Sequence, residues 1–258
     1  MMNTFNVLTI FPEIFTPVET GIMGRAAENG IIRINKVNIR DFALNKHKNT
    51  DDYPYGGGEG MLMTAQPVID AWKSIDEPGL TVYVSPKGKI LNQSKCIELS
   101  QQKNITILCG RYEGIDERII DSIIDEEISI GDFVISGGET AAMIIIDATA
   151  RMLPGVLGNA AGSSNESHFN GLLEAPQYTR PEVFDGKSVP KVLLSGNHAK
   201  IEEYRFLMSL RETYLKRPDL LKARGLTKFE AGILADELPE EYEGIMKMVK
   251  KQEDICTD

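Results

Sequence analysis

LTVYVSPKGK (80–89), ITILCGRYEG (105–114) and ISIGDFVISGGE (128–139) decide how this chain folds. Each begins as a short apolar run and ends in a glycine-bearing loop. Short runs without strict apolar/polar alternation suit strands buried on both faces of a parallel sheet. The expected strands are Leu80–Val84, stopped by SPKGK, then Ile105–Cys109 and Ile128–Ile135. Helical stretches fall between and after them, at Gln93–Gln101, Ile115–Ile124 and Glu139–Leu153, the last ended by Pro154 and Gly155. Strands alternating with helices of this length predict an α/β domain whose mostly parallel sheet is covered on both faces.

Reading toward the N-terminus, Phe5–Ile10 and Ile31–Ile39 are further strand candidates, with Pro12 at a first-turn helix position between them. DDYPYGGGEGMLM (51–63) is too rich in Gly and Pro for a regular element, and Thr64 is placed to cap a helix reaching Ile75. Toward the C-terminus, GNAAGSSNESHFN (158–170) has the composition of a flexible linker. PQYTRPEVFDGKSVP (176–190) is held extended by its prolines, and helices are expected near 198–216, 219–224, 227–236 and 240–252. The expected organisation is an α/β domain over 1–158, a flexible linker over 159–173, and a small, mainly helical domain over 174–258.

With 258 residues and 42% hydrophobic composition, the chain can bury a sizeable core. No stretch is apolar for long enough to cross a membrane, and MMNTFNVLTIF reads as a first strand rather than a signal peptide, so a cytoplasmic protein is expected. Three scattered cysteines and three scattered histidines give neither a disulfide framework nor zinc-ligand spacing. The net charge of −10 argues against a simple nucleic-acid binder, but the charge is unevenly spread. Residues 176–228 carry 11 Lys and Arg against 6 Asp and Glu, so a basic segment lies between acidic ones. It reads either as a solvated helical surface or as a surface for phosphates.

Ligands of open parallel sheets bind beyond the carboxyl ends of the strands, where SPKGK (85–89), CGRYEG (109–114) and SGGE (136–139) would together line a pocket with backbone. None of the three is a phosphate-binding signature. A small neutral or zwitterionic cofactor held by backbone amides and carbonyls fits better than a nucleotide triphosphate.

GRYEGIDER (110–118), SIGDFVISGGE (129–139) and PQYTRPEVFDG (176–186), together with IFPEIF (10–15) and YGGGEGMLM (55–63), resemble the tRNA (guanine-N1)-methyltransferase family, TrmD, over Phe5 to about Leu220. The resemblance implies a SPOUT-type α/β fold, its parallel sheet threaded into a deep trefoil knot. It also implies a homodimer, S-adenosylmethionine as cofactor, a dependence on magnesium, and the anticodon stem-loop of tRNA as partner. It places the cofactor against Tyr83, Ser85, Pro86 and Gly88; against Gly110, Tyr112 and Glu113; and against Ser129, Ile130, Gly131, Asp132, Phe133, Val134, Ile135, Gly137 and Gly138. Ile130 to Ile135 would give adenine an apolar slot, and Glu113 would face the cationic end.

Guanine N1 holds a proton at neutral pH, so its methylation calls for a carboxylate base and a cation near O6. The family's base is an Asp in the linker. This chain has no Asp there, and the matching position is Glu166, with Glu174 as runner-up. Arg151 is the matching cation, and its plainer reading is an i,i+4 pair with Asp147. Ala141 in GGETAAM departs from a Pro often found in the family, with little effect expected on the pocket. Phosphate contacts would fall to Arg180, Lys187, Lys191, Lys200, Arg205, Arg211, Lys216 and Arg217, and the YGGGEG loop would approach the anticodon. Three other readings stay open: the same fold acting on ribosomal RNA or a ribose hydroxyl, a non-catalytic RNA-binding protein, and a small-molecule α/β enzyme.

Overall fold

Phe5 and Val7 bury their side chains on one face of the first strand, and Leu8 buries its own on the other. That alternation sets up a sheet with two covered faces. A computed structural model describes residues 2–157 and 166–253 of the chain, the side chains only as far as residue 249. The chain divides into two compact units, Met1–Ala160 and Ala161–Asp258.

In the first unit, strands β1 (Asn3–Thr9), β2 (Ile32–Asn38), β5 (Leu80–Ile90), β6 (Asn104–Cys109) and β7 (Glu126–Ser129) form one sheet in the order β2-β1-β6-β5-β7. Every neighbouring pair in it is parallel. Phe5, Val7, Val82, Ile105, Ile107 and Ile128 pack on one face against α1 (Gly21–Glu28), α3 (Gln93–Ser100) and α5 (Gly138–Ala150). Leu8, Tyr83 and Leu108 pack on the other against α2 (Ala65–Lys73) and α4 (Glu117–Ile123). The connection from β5 through α3 leads to β6 on one side of β5, and the connection through α4 returns to β7 on its other side. This reversal opens a crevice at the carboxyl ends of β5, β6 and β7.

Four local expectations are corrected. SPKGK does not stop β5, which runs on to Ile90 with a shift of register against β7 between Val84 and Lys89. A bulge tolerates Pro86, which has no N–H to give to a ladder, and Gly88 lies where any Cβ would strike the backbone of Glu127 and Ile128. The third strand ends at Ser129 instead of Ile135, because the Ser129 hydroxyl accepts from the Gly131 N–H at 3.1 Å and donates to the Gly131 carbonyl at 2.9 Å, turning the chain out of the sheet. Residues 51–63 do contain regular structure, since β3 (Asp51–Asp52) and β4 (Leu62–Met63) pair antiparallel around the glycine loop. Residues 176–190 contain a small hairpin, β8 (Val183–Phe184) and β9 (Lys187–Ser188), turning on Asp185 and Gly186 at φ of 49° and 73°.

In the second unit, α6 (His198–Lys216), α7 (Pro218–Arg224), α8 (Lys228–Glu237) and α9 (Tyr242–Glu253) surround a separate core of Leu210, Leu221, Leu234 and Ile245. Thr227 and Glu230 form a capping box that starts α8. Residues 166–173, assigned to the linker from sequence, are packed on this unit. Leu172 is 2% exposed within its core, and the Leu173 N–H donates to Thr213 Oγ1 at 2.8 Å. Arg224 Nε donates to the Asn170 carbonyl at 3.0 Å, and its guanidinium is paired with the buried carboxylate of Glu230. Residues 158–165, the rest of the expected linker, lie outside the described residues. No described helix is long and apolar enough to cross a membrane.

Candidate active site

The crevice at the carboxyl ends of β5, β6 and β7 contains a cavity of about 340 Å³. Tyr83, Ser85 and Pro86 line it from β5, Gly110, Tyr112 and Glu113 from the loop after β6. Ser129, Ile130, Phe133, Val134, Ile135, Gly137 and Gly138 line it from the segment leading into α5. The structure therefore gathers these sequence-predicted residues around one space. Gly88, Gly131 and Asp132 are not in its wall. Gly88 serves the β5–β7 contact, Gly131 is bridged by Ser129, and Asp132 is exposed. Ala141, the departure noted above, also lines the cavity.

Two backbone features shape the wall. Gly138, the first residue of α5, comes so close to the end of β6 that an added Cβ would lie 2.8 Å from Cys109 Cα and from Gly110 N, which only glycine avoids. Tyr112 holds φ at 59°, a conformation side-chain-bearing residues avoid unless their surroundings enforce it.

Beside it lies a buried polar cluster that sequence reading missed. Glu139 is 1% exposed and accepts from Arg111 Nε at 2.7 Å and from the Thr9 hydroxyl at 2.8 Å. Arg111 also donates to the Ser136 carbonyl at 3.2 Å and stacks over the Phe11 ring at 4.7 Å. The ends of β1 and β6 and the start of α5 are thereby tied together beside the cavity. A single charge in the first turn of a nearly apolar helix was the available signal, but no local spacing joins Glu139 to Arg111, 28 residues away.

The charges of the site are unbalanced toward acid. Glu113, Glu117 and Glu127 line the cavity with Lys87, while the guanidinium of Arg111 is already engaged by Glu139. Burial pushes the Tyr83 phenol up to about 12, with the negative charges of Glu127 and Glu117 adding to the effect, so it remains a neutral donor at physiological pH. Burial likewise holds the Cys109 thiol well above its usual range; Glu139 raises it further and Arg111 partly offsets this. Among the described residues, the buried Glu127 Oε2 has no hydrogen-bond partner.

The remaining candidates are not among the residues that line the cavity. Arg151 is the C-cap of α5, with its N–H on the Asp147 carbonyl at 3.1 Å, at the helix end opposite the cavity. Glu166 is half-buried in the second unit, and its carbonyl accepts from the Phe169 N–H at 3.3 Å. Glu174 is exposed and accepts from Gln177. Of the basic segment, Arg180, Lys187, Lys191, Lys200 and Arg205 are exposed. Arg211, Lys216 and Arg217 are partly neutralised by Glu212, Glu237 and Asp219. Among the described residues, no group of three or more His, Cys, Asp or Glu side chains gathers as a metal site would need.

The chain has well-defined relatives. Over 222 residues it is 57% identical to a protein named tRNA (guanine-N(1)-)-methyltransferase from Ruminiclostridium cellulolyticum, covering 84% of this chain and 95% of that one. It is 53% identical over 233 residues to the like-named protein of Alkaliphilus oremlandii, covering 86% and 93% of the two chains. It is 50% identical over 250 residues to that of Carboxydothermus hydrogenoformans, covering 92% and 99%. The family model described as tRNA (Guanine-1)-methyltransferase TrmD matches residues 2–223, and the chain belongs to that family.

Proposed function

We propose that this protein transfers a methyl group from S-adenosylmethionine to N1 of the guanine at position 37 of tRNA, on the 3′ side of the anticodon. The observation that carries this reading is the cavity at the carboxyl ends of β5, β6 and β7, lined by backbone and carboxylates in a chain of this family. Its volume suits a ligand of that size. The orphaned Glu127 Oε2 and the acidic wall fit a cofactor that carries hydrogen-bond donors and positive charge.

When bound, S-adenosylmethionine supplies an electrophilic methyl group. Ile130, Phe133, Val134 and Ile135 would offer apolar contact to adenine, and the backbone at Gly110, Gly137 and Gly138 would let a bound cofactor come close to the chain. Glu113 faces its cationic end. The Glu166 carboxylate takes the proton from guanine N1, and a carboxylate suitably placed for such a transfer accelerates it by about 10²–10⁴. Arg151 offsets the negative charge that develops on O6.

The rise of a helix puts Arg151 roughly 20 Å from the cavity end of α5. We read this distance as the reason the enzyme works as a homodimer, with Arg151 serving the second copy's cavity. Phe133 and Val134, 56% and 84% exposed at the cavity, supply apolar surface for that pairing. The trefoil threading belongs to the same reading. It is supported by the path from the edge strand β7 through residues 130–137 back to α5, which packs against β5 and β6. The 1–158 unit holds the cofactor, 159–173 joins the parts, and 174–258 receives tRNA on Arg180, Lys187, Lys191, Lys200 and Arg205. The enzyme acts in the cytoplasm.

The test is methyl transfer from labelled S-adenosylmethionine to two tRNA transcripts that differ only in guanine or adenine at position 37. Label entering the guanine transcript alone supports the reading. Label entering both points to another position or to a ribose hydroxyl, and label entering neither removes tRNA as the substrate.

A further inference from the structure

The geometry points to Glu127 as a ligand-binding residue of the cavity, its carboxylate accepting hydrogen bonds from donor groups of the cofactor. This assignment rests on the cofactor reading above and adds a residue to it. Glu127 pairs in register with Tyr83 across the parallel β5–β7 ladder, so the two side chains stand together on the same face of the sheet. Both line the cavity, as does Glu117 in the first turn of α4. Tyr83 feels the negative charge of both carboxylates, which places all three groups close together.

Among the described residues nothing donates to Glu127 Oε2, although that oxygen is shut off from solvent. Buried polar atoms nearly always have partners, and a carboxylate oxygen is the most costly kind to leave alone. Glu139, a carboxylate in the cluster beside the cavity, shows the contrast: each of its oxygens has a donor within 2.8 Å, and it closes a structural cluster. Among the described residues, Glu127 Oε2 has no such donor. We assign its partner to a bound ligand, and only donors fit, since an ionised carboxylate can only accept. S-adenosylmethionine carries donors at three places, the adenine amino group, the ribose hydroxyls and the ammonium of its amino-acid end.

Titration calorimetry on the full chain separates these sources. S-adenosylhomocysteine carries all three donor sets, and adenosine carries the amino group and the ribose without the ammonium. Glu127→Gln should weaken S-adenosylhomocysteine by about 10- to 100-fold, the range for losing hydrogen bonds to a charged group. A parallel loss for adenosine places the donors on its ribose or adenine amino group, and a loss confined to S-adenosylhomocysteine places them on the ammonium. Either result supports the assignment.

The ligand-free variant should have an unchanged or higher thermal midpoint, because the orphaned charge is gone. Binding equal to the parent overturns the assignment. So does a lowered ligand-free midpoint, which makes Glu127 a structural residue. Failure of the parent to bind S-adenosylhomocysteine overturns the cofactor reading itself and is a separate result.

Discussion

Replacing Arg111 with Met isolates the buried cluster that frames the cavity. The change keeps much of the side chain's volume and removes its charge, leaving the 1% exposed Glu139 with only the Thr9 hydroxyl as partner. Removing one member of a buried ion pair costs about 3–5 kcal/mol, because the abandoned charge stays desolvated. The Arg111 side chain is 21% exposed, so water reaches part of the site and the lower end applies, about 3 kcal/mol. In a unit of this size each kcal/mol moves the thermal midpoint by about 2–4 °C, which predicts a fall of roughly 6–12 °C. Circular dichroism melts of Arg111→Met and of the double variant Arg111→Met/Glu139→Leu provide the measurement. The double variant should recover most of the loss, since an apolar pair of similar volume needs no partner. A fall under about 2 °C, or a double variant worse than the single, would refute the claim that an uncompensated Glu139 charge is what the parent avoids.

Three further outcomes follow from the same geometry. The Tyr83 phenol is raised to about 12 in the folded chain, against roughly 10 when unfolded. Its contribution is therefore intact below pH ~10 and lost as pH climbs toward 12, so Tyr83→Phe should flatten the alkaline limb of a denaturant-melt series. Glu166→Gln should bind S-adenosylhomocysteine like the parent while its single-turnover methylation rate falls by about 100-fold or more; an unchanged rate moves the base to another residue, Glu174 first. Leu172→Ala, at a 2% exposed site in the helical core, should cost that unit about 2–5 kcal/mol in chemical denaturation, and a loss under 1 kcal/mol would show that residues 166–173 are not anchored there.

The parallel sheet was readable in the sequence because its strands are short apolar runs with helices between them, and the three loops could be placed at one edge by topology alone. What was misread depended on contacts distant in sequence. Pro86 and Gly88 look like strand breakers until β7 supplies the neighbour against which β5 bulges. Ile130 to Ile135 look like strand until the Ser129 hydroxyl captures Gly131. Glu127 reads as one acid among several in DEEIS, and only the register against Tyr83 turns it into the cavity. Glu139 and Arg111 carry no mutual signal, because a pair formed between a helix start and a loop has no fixed spacing. The Gly/Ser content before Asn170 suggested a free tether as far as residue 173, whereas Leu172 and Arg224 fasten its later part to the helices.

That fastening decides where the protein can be cut and rejoined. A chimera spliced between residues 157 and 166 would move Glu166 together with Leu172, Leu173 and the helical surface as one cassette, with the Arg224–Asn170 and Thr213–Leu173 bonds carried along intact. A splice at 174 would separate Asn170 and Leu173 from the helical residues that bond them and pit one parent's Leu172 against the other parent's core. Exchange of RNA preference between relatives should therefore succeed at the first junction and fail at the second, even though the two lie only a few residues apart.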